Sequence, residues 1–86
     1  MKRNIRFDPD AWDEFTDWND QDRKIWKRIV DLLNEARRTP FEGKGKPEAL
    51  KHQFKGYWSR RITSEHRLIY KVTDEDITVI SCEGHY

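Results

Sequence analysis

Cysteine is nearly absent from this chain of 86 residues, where Cys82 stands alone. One thiol can form no intrachain disulfide and can fill neither a zinc-finger ligand set nor a CxxC redox pair, so a reducing cytoplasm is the expected setting. Long apolar runs are also missing. The opening Met1-Lys2-Arg3-Asn4-Ile5-Arg6-Phe7-Asp8 lacks the apolar stretch of a signal peptide, and no later segment approaches a membrane-spanning length, so no membrane partner is expected. Of the three histidines, His52 and His66 have no metal-ligand spacing with acids or cysteine. Asp8, Asp10 and Asp13 lack the glycine and distal glutamate of a calcium loop. The expectation is a protein without metal or cofactor.

What the chain does have is aromatic rings and unevenly distributed charge. Its length predicts one domain spanning residues 1–86, burying only about 60% of the surface of its unfolded chain. Aromatics make up 13% of the residues, four of them Trp, and must supply much of the core because aliphatic side chains are few. The net charge of +1 hides a basic centre between two acidic ends. Residues 1–22 hold three Lys/Arg against seven Asp/Glu, residues 23–71 hold fourteen against five, and residues 72–86 hold none against four. A basic centre interleaved with Phe54, Tyr57 and Trp58 suits a phosphate backbone with stackable bases. It also suits an ordinary solvated helix face.

Periodicity predicts a β-α-α-β-β-β order. Asn4 to Phe7 reads as a strand, and Asp8-Pro9 as an N-cap followed by proline in the first helical turn. Trp12, Phe15 and Trp18 recur at helical spacing, with Asp10, Asp13, Glu14 and Asp17 on the outer face. Asn19-Asp20 is read as the break before a second helix, whose apolar stripe is Ile25, Ile29, Leu32, Leu33 and Ala36. Thr39-Pro40 ends it, and residues 41–47 form a glycine-rich connector without the Lys-Ser/Thr ending of a P-loop. Residues 54–62, 66–72 and 77–85 read as strands separated by short turns, hence antiparallel. The expected fold is α+β: a helical hairpin packed on one face of a mainly antiparallel sheet, with the other face open.

A turn centred on Ser64 would set Arg61 and Arg67 opposite each other and on one face. Like charges across a sheet repel, so such a pair implies an anion between them or acids nearby. Arg60, one residue along, would point the other way.

The same stretches carry a family resemblance. Arg37-Arg38-Thr39-Pro40-Phe41-Glu42-Gly43-Lys44-Gly45-Lys46-Pro47-Glu48, Leu50-Lys51-His52, Gly56-Tyr57-Trp58-Ser59-Arg60-Arg61-Ile62, Glu65-His66-Arg67-Leu68-Ile69-Tyr70 and the terminal His85-Tyr86 together make the chain resemble a YoeB-type (Txe/YoeB) toxin of the RelE superfamily. The resemblance implies a RelE-like, microbial RNase-like fold and a metal-independent endoribonuclease, the toxin of a type II toxin–antitoxin system. Such a toxin cuts mRNA in the ribosomal A site and thereby stops translation. It further implies that Glu48, Arg67, His85 and Tyr86 are catalytic and that Lys51 and Arg61 bind substrate phosphate. The chain departs from the family pattern at Glu83-Gly84, where relatives place a basic residue and an aromatic. Glu83 would weaken local attraction for phosphate, or alternatively favour a protonated His85, and Gly84 would loosen the strand that positions His85.

RNA cleaves itself when its 2′-hydroxyl is deprotonated in line with the adjacent phosphorus and the 5′-oxygen receives a proton. Glu48 is the expected base and His85 the expected acid, each able to contribute about 10²- to 10⁴-fold. Arg67, with its planar fork, would hold the scissile phosphate, and Tyr86 would stack on or orient the nucleotide. The competing reading leaves Glu48 paired with Lys46 or Lys51, the arginines solvated and His85 a passive surface residue.

The resemblance implies a YefM/Phd-type antitoxin as partner, with operator DNA bound only through that complex, and the ribosome and mRNA as targets. Arg23, Lys24, Lys27, Arg28, Arg37 and Arg38 on the second helix are the candidates for ribosomal RNA contact. A homodimer is compatible with the resemblance. The alternative function is a catalytically weakened homologue that acts as a ribosome- or antitoxin-binding module.

Overall fold

In the computed structural model, which describes residues 2–84, the chain runs β1 (Asn4–Phe7), α1 (Pro9–Gln21), α2 (Arg23–Ala36), β2 (Glu48–Ala49), a single 3₁₀ turn (His52–Phe54), β3 (Tyr57–Arg61), β4 (Arg67–Val72) and β5 (Asp76–Ser81). The five strands form one sheet in the order β1-β5-β4-β3-β2. All neighbours are antiparallel except β1, which runs parallel to β5. This is the expected α+β arrangement of a helical hairpin on a mainly antiparallel sheet, with one strand added at its edge. None of the described helices is long and apolar enough to cross a membrane.

The larger differences from the sequence reading each have a local reason. The first helix continues through Asn19-Asp20 to Gln21, and the break falls at Asp22. There the carboxylate accepts the backbone N–H groups of Lys24 at 3.1 Å and Ile25 at 3.3 Å, which would otherwise lack partners. Glu48–Ala49 forms an edge strand too short to show any periodicity. The next strand starts at Tyr57 rather than Phe54, because residues 52–54 close a 3₁₀ turn and Gly56 follows at φ +96°. The last strand stops at Ser81 rather than reaching residue 85. Side chains of α1 take over its backbone groups: Glu14 accepts the N–H of Cys82 at 2.8 Å, and Trp18 Nε1 donates to the Cys82 carbonyl at 3.0 Å. Glu14 is therefore a half-buried strap and not part of the outer face.

The core lies between the hairpin and the sheet. Ala11, Trp18, Ile29, Leu32, Leu33 and Ala36 meet Leu68, Tyr70, Ile77 and Val79. Trp12 falls outside it, 51% exposed, although its ring contacts Phe7 and Phe15.

One charged residue sits wholly inside this layer. Arg60, fully buried, donates from Nε to the Tyr70 hydroxyl at 2.9 Å, from Nη1 to the Lys44 carbonyl at 3.1 Å and to Glu35 Oε1 at 3.3 Å. Its Nη2 donates to the carbonyls of Thr39 and Glu42. The Tyr70 hydroxyl in turn donates to the Pro40 carbonyl at 2.7 Å. Burial pushes the Tyr70 phenol up from its ordinary value, and the hydrogen bond and charge of Arg60 partly oppose this. An unpaired guanidinium could not be buried here; five donors matched to acceptors make the burial tolerable, and they pin the 39–44 loop to the sheet.

Candidate functional site

Strand alternation sorts the side chains of β3 and β4 onto two faces. Arg60, Leu68 and Tyr70 face the helices, and Ser59, Arg61, Arg67 and Ile69 face away from them. The registers complete the open face. Arg61 stands opposite Arg67 and Ser59 opposite Ile69, while Glu48 of β2 is paired with Ser59. These residues, with Lys46 and Leu50, line a cavity of about 200 Å³. Ile69 and Leu50 are its apolar lining; Glu48, Ser59, Lys46 and the two arginines are its polar residues.

The two arginines are held differently. Arg67 is half-buried, and its Nη1 donates to the carbonyls of Thr63 at 2.7 Å, His66 at 3.2 Å and Ser64 at 3.4 Å. That turn is tied by Thr63 Oγ1, which accepts the N–H groups of Glu65 and His66 at 3.1 Å. One nitrogen of the fork is thus committed to the protein, and Nε and Nη2 make no hydrogen bond among the described residues. Arg61 is exposed and anchored only through its backbone: its N–H donates to the Gly45 carbonyl at 2.7 Å and its carbonyl accepts from Arg28 at 3.3 Å. Among the described residues neither arginine, nor Glu48, nor Lys46 is in an ion pair. Two facing cations with no ion-pair partner among the described residues leave a place for an anion.

Gly45 explains how the 39–47 loop can approach so closely. It has φ +81°, and a Cβ there would lie 3.1 Å from Arg60 Cβ, from the Arg61 carbonyl and from Leu32 Cδ2. Only glycine combines that backbone with that proximity. The next residue, Lys46, also has a positive φ, +50°, although it carries a side chain.

The C-terminal approach to the site is anchored as well. Gly84, at φ +71°, lies beyond β5, so it does not loosen a strand as expected. Its N–H donates to His66 Nδ1 at 2.9 Å and its carbonyl accepts from Arg67 N–H at 2.7 Å. His66 packs edge-on against Trp18, ring centres 4.8 Å apart. Glu83 is exposed and likewise lies past the strand, its carbonyl accepting from Ser81 Oγ at 3.1 Å. His85 and Tyr86, read from sequence as catalytic, lie outside the described residues.

The remaining sequence-derived candidates are spread more widely. Lys51 is exposed beyond β2 and does not line the cavity. On α2, Arg23, Lys24 and Lys27 are exposed, as is Arg38 just after the helix. Arg28 and Arg37 are half-buried and spend donors on backbone carbonyls, Arg37 Nε on that of Arg3 at 2.9 Å. Sequence reasoning missed Ser59 and Lys46 as lining residues. Two-residue alternation from Arg61 would have found Ser59, whereas Lys46 enters only through the path of the loop.

Comparison with known proteins places this geometry. A family model described as "YoeB-like toxin of bacterial type II toxin-antitoxin system" matches residues 7–86. Toxin YoeB of Escherichia coli (strain K12) is 53% identical over 77 residues, covering 90% of this chain and 92% of that protein. The solved YoeB dimer from Staphylococcus aureus superposes with a TM-score of 0.91 at 44% identity, covering both chains fully. The toxin chain of a YoeB–YefM complex from the same organism gives 0.89 at 42% identity, again over both whole chains.

Proposed function

Because the chain belongs to the YoeB-like toxin family of bacterial type II toxin–antitoxin systems, we propose that it is a ribosome-dependent endoribonuclease that cuts mRNA in the A site and so stops translation. The observation that carries this reading is the convergence of one carboxylate, Glu48, with Arg61 and Arg67 on a single cavity of the open sheet face. Metal-free cleavage needs a base beside a cationic cradle, and this convergence supports that reading.

In this mechanism Glu48 takes the proton of the 2′-hydroxyl, whose oxygen attacks the adjacent phosphorus. The bond from phosphorus to the 5′-oxygen breaks, and His85 returns a proton to that oxygen. The products are a 2′,3′-cyclic phosphate, or its opened 3′-phosphate, and a 5′-hydroxyl. Arg67 grips the phosphate with the two nitrogens its turn leaves uncommitted and follows the charge that builds in the transition state. Arg61 shares that charge from the facing strand, Lys51 adds longer-range cationic attraction from outside the cavity, and Tyr86 orients the nucleotide.

Arg23, Lys24, Lys27 and Arg38 form the exposed part of the surface offered to ribosomal RNA, assisted by Arg28 and Arg37. Binding through such contacts weakens steeply with salt. A YefM-type antitoxin is the proposed inhibitor, since the related Staphylococcus aureus protein was solved in a YoeB–YefM complex; operator DNA would be reached through the antitoxin. A homodimer is also proposed. A related chain was solved as a dimer, and half-exposed Trp12 continues the ring cluster of Phe7 and Phe15 at the surface.

The test is to add the purified chain to a cell-free translation reaction and map message 5′-ends, with Glu48→Gln alongside. Cuts at the A-site codon that disappear in the variant are expected. Glu83, an acid where relatives place a basic residue, favours a second reading, a catalytically weakened ribosome- or antitoxin-binding module. Retained ribosome binding with intact message would select it.

A further inference from the structure

Lys46 combines two features that rarely coincide. It has φ +50°, a left-handed conformation that L side chains avoid and that glycine adopts freely, and the residue lines the same cavity as Arg61 and Arg67. The residues around it narrow its options further, because Pro47 restricts the residue before it. A position with this backbone normally carries Gly or Asn. Glycine is already used next door, at Gly45, where the close approach to Arg60 and Arg61 requires it. A lysine kept in a conformation that costs stability, at the lining of a cavity that also holds two arginines, fits strain retained for a site.

We propose that Lys46 is a phosphodiester-binding residue, the third cation of an oxyanion cradle formed with Arg61 and Arg67. The proposal deepens the nuclease reading and rests on it for the identity of the substrate. The cradle's parts come from three segments: Arg61 from β3, Arg67 from β4 through its Thr63–His66 turn, and Lys46 from the loop that Arg60 pins from beneath. Three separate segments thus bring a cation to the lining of one cavity. The two arginines supply planar forks, and Lys46 supplies a compact ammonium that can follow whichever oxygen gains charge. Among the described residues Lys46 has no acidic partner that would neutralise it. Lys44, two residues earlier, differs in this respect, being paired with Asp31 at 3.0 Å.

The experiment titrates the full chain with a 2′-O-methyl dinucleotide, which carries one phosphodiester but lacks the attacking hydroxyl, and follows binding by NMR. Thermal unfolding is recorded on the same samples. Lys46→Gly is expected to weaken binding about tenfold, the loss of one charge-assisted contact, while its unfolding midpoint stays level or rises because the strained φ is relieved. Lys46→Arg should keep most of the affinity. Unchanged dinucleotide binding in Lys46→Gly would overturn the proposal. So would a lowered midpoint in Lys46→Gly combined with lost binding in Lys46→Arg, which would mark a structural lysine. Message cleavage is read separately: a parent chain that binds the dinucleotide through Lys46 yet leaves ribosome-bound message intact supports this inference and overturns the nuclease reading alone.

Discussion

Gly84 hands its backbone N–H to Nδ1 of His66 across 2.9 Å, and its carbonyl to the N–H of Arg67 across 2.7 Å. The residue before the terminal His85-Tyr86 pair is therefore fixed to the first residue of β4, the one that grips phosphate in the proposed mechanism. Nδ1 can accept only while it carries no proton, so the contact also sets the tautomer of His66, with hydrogen on Nε2.

That contact predicts a graded result at position 66. His66→Leu removes the acceptor and should cost about 1 kcal/mol in unfolding free energy. It should also reduce message cleavage, while leaving ribosome binding near that of the parent. His66→Asn offers an oxygen close to where Nδ1 stood and should recover most of both. Denaturant unfolding together with mapped message ends distinguishes the two variants; equal loss in both would point to lost packing against Trp18 instead.

Arg67→Lys tests the fork. The charge survives, but a single ammonium cannot hold the Thr63 turn and grip a phosphate with two further donors. Cleavage should fall by roughly 10- to 100-fold, the range for losing one or more hydrogen bonds to a charged group. Near-normal turnover would mean that Arg67 contributes charge alone.

Arg60 is predicted to matter for stability far more than for charge. Arg60→Leu strands the carbonyls of Thr39, Glu42 and Lys44 and leaves Glu35 without its ion-pair partner, holding only the Lys44 N–H, at an expected cost of about 3–5 kcal/mol. Arg60→Lys should recover only part of this, because one ammonium cannot reach acceptors spread around a planar guanidinium. Urea unfolding would measure both. Two variants that unfold like the parent would refute the pinned loop.

Cys82 should behave as a buried thiol. Burial, reinforced by the charges of Glu14 and Glu83, pushes its pKa from 9.0 to about 12. The folded chain therefore holds this proton more tightly than the unfolded chain does. The resulting stabilisation is intact below pH 9.0 and disappears as pH rises towards about 12, with a slope of about 1.4 kcal/mol per pH unit. Iodoacetamide should label the native chain slowly and the urea-unfolded chain rapidly at pH 8. Cys82→Ala should flatten the alkaline loss of stability.

The elements with repeating patterns could be read directly from the chain. The stripe Ile25, Ile29, Leu32, Leu33 and Ala36 needs only helical geometry to define a buried face, and the turn around Ser64 sufficed to set Arg61 against Arg67. Alternation then forces Arg60 to the opposite face. None of this depends on distant residues, which is why α2, β4 and the facing arginines could be placed beforehand. The basic central segment and the lone cysteine were equally plain from composition.

What the sequence could not reveal depends on contacts between remote segments. Glu48–Ala49 is a strand only because β3 offers it an edge, and β5 ends at Ser81 because Glu14 and Trp18, more than sixty residues away, bind the backbone beyond it. That Arg60 would be enclosed rather than solvated followed from five acceptors brought together by the loop, Tyr70 and Glu35. Lys46 reached the cavity because Gly45 allowed its loop to lie against β3. Local preference extends over a few residues, so the sequence determined helices, turns and strand faces; hydrogen-bond partners and close approach are properties of the assembled chain, so only the tertiary structure decided where strands end, which charge is buried and which loop completes the site.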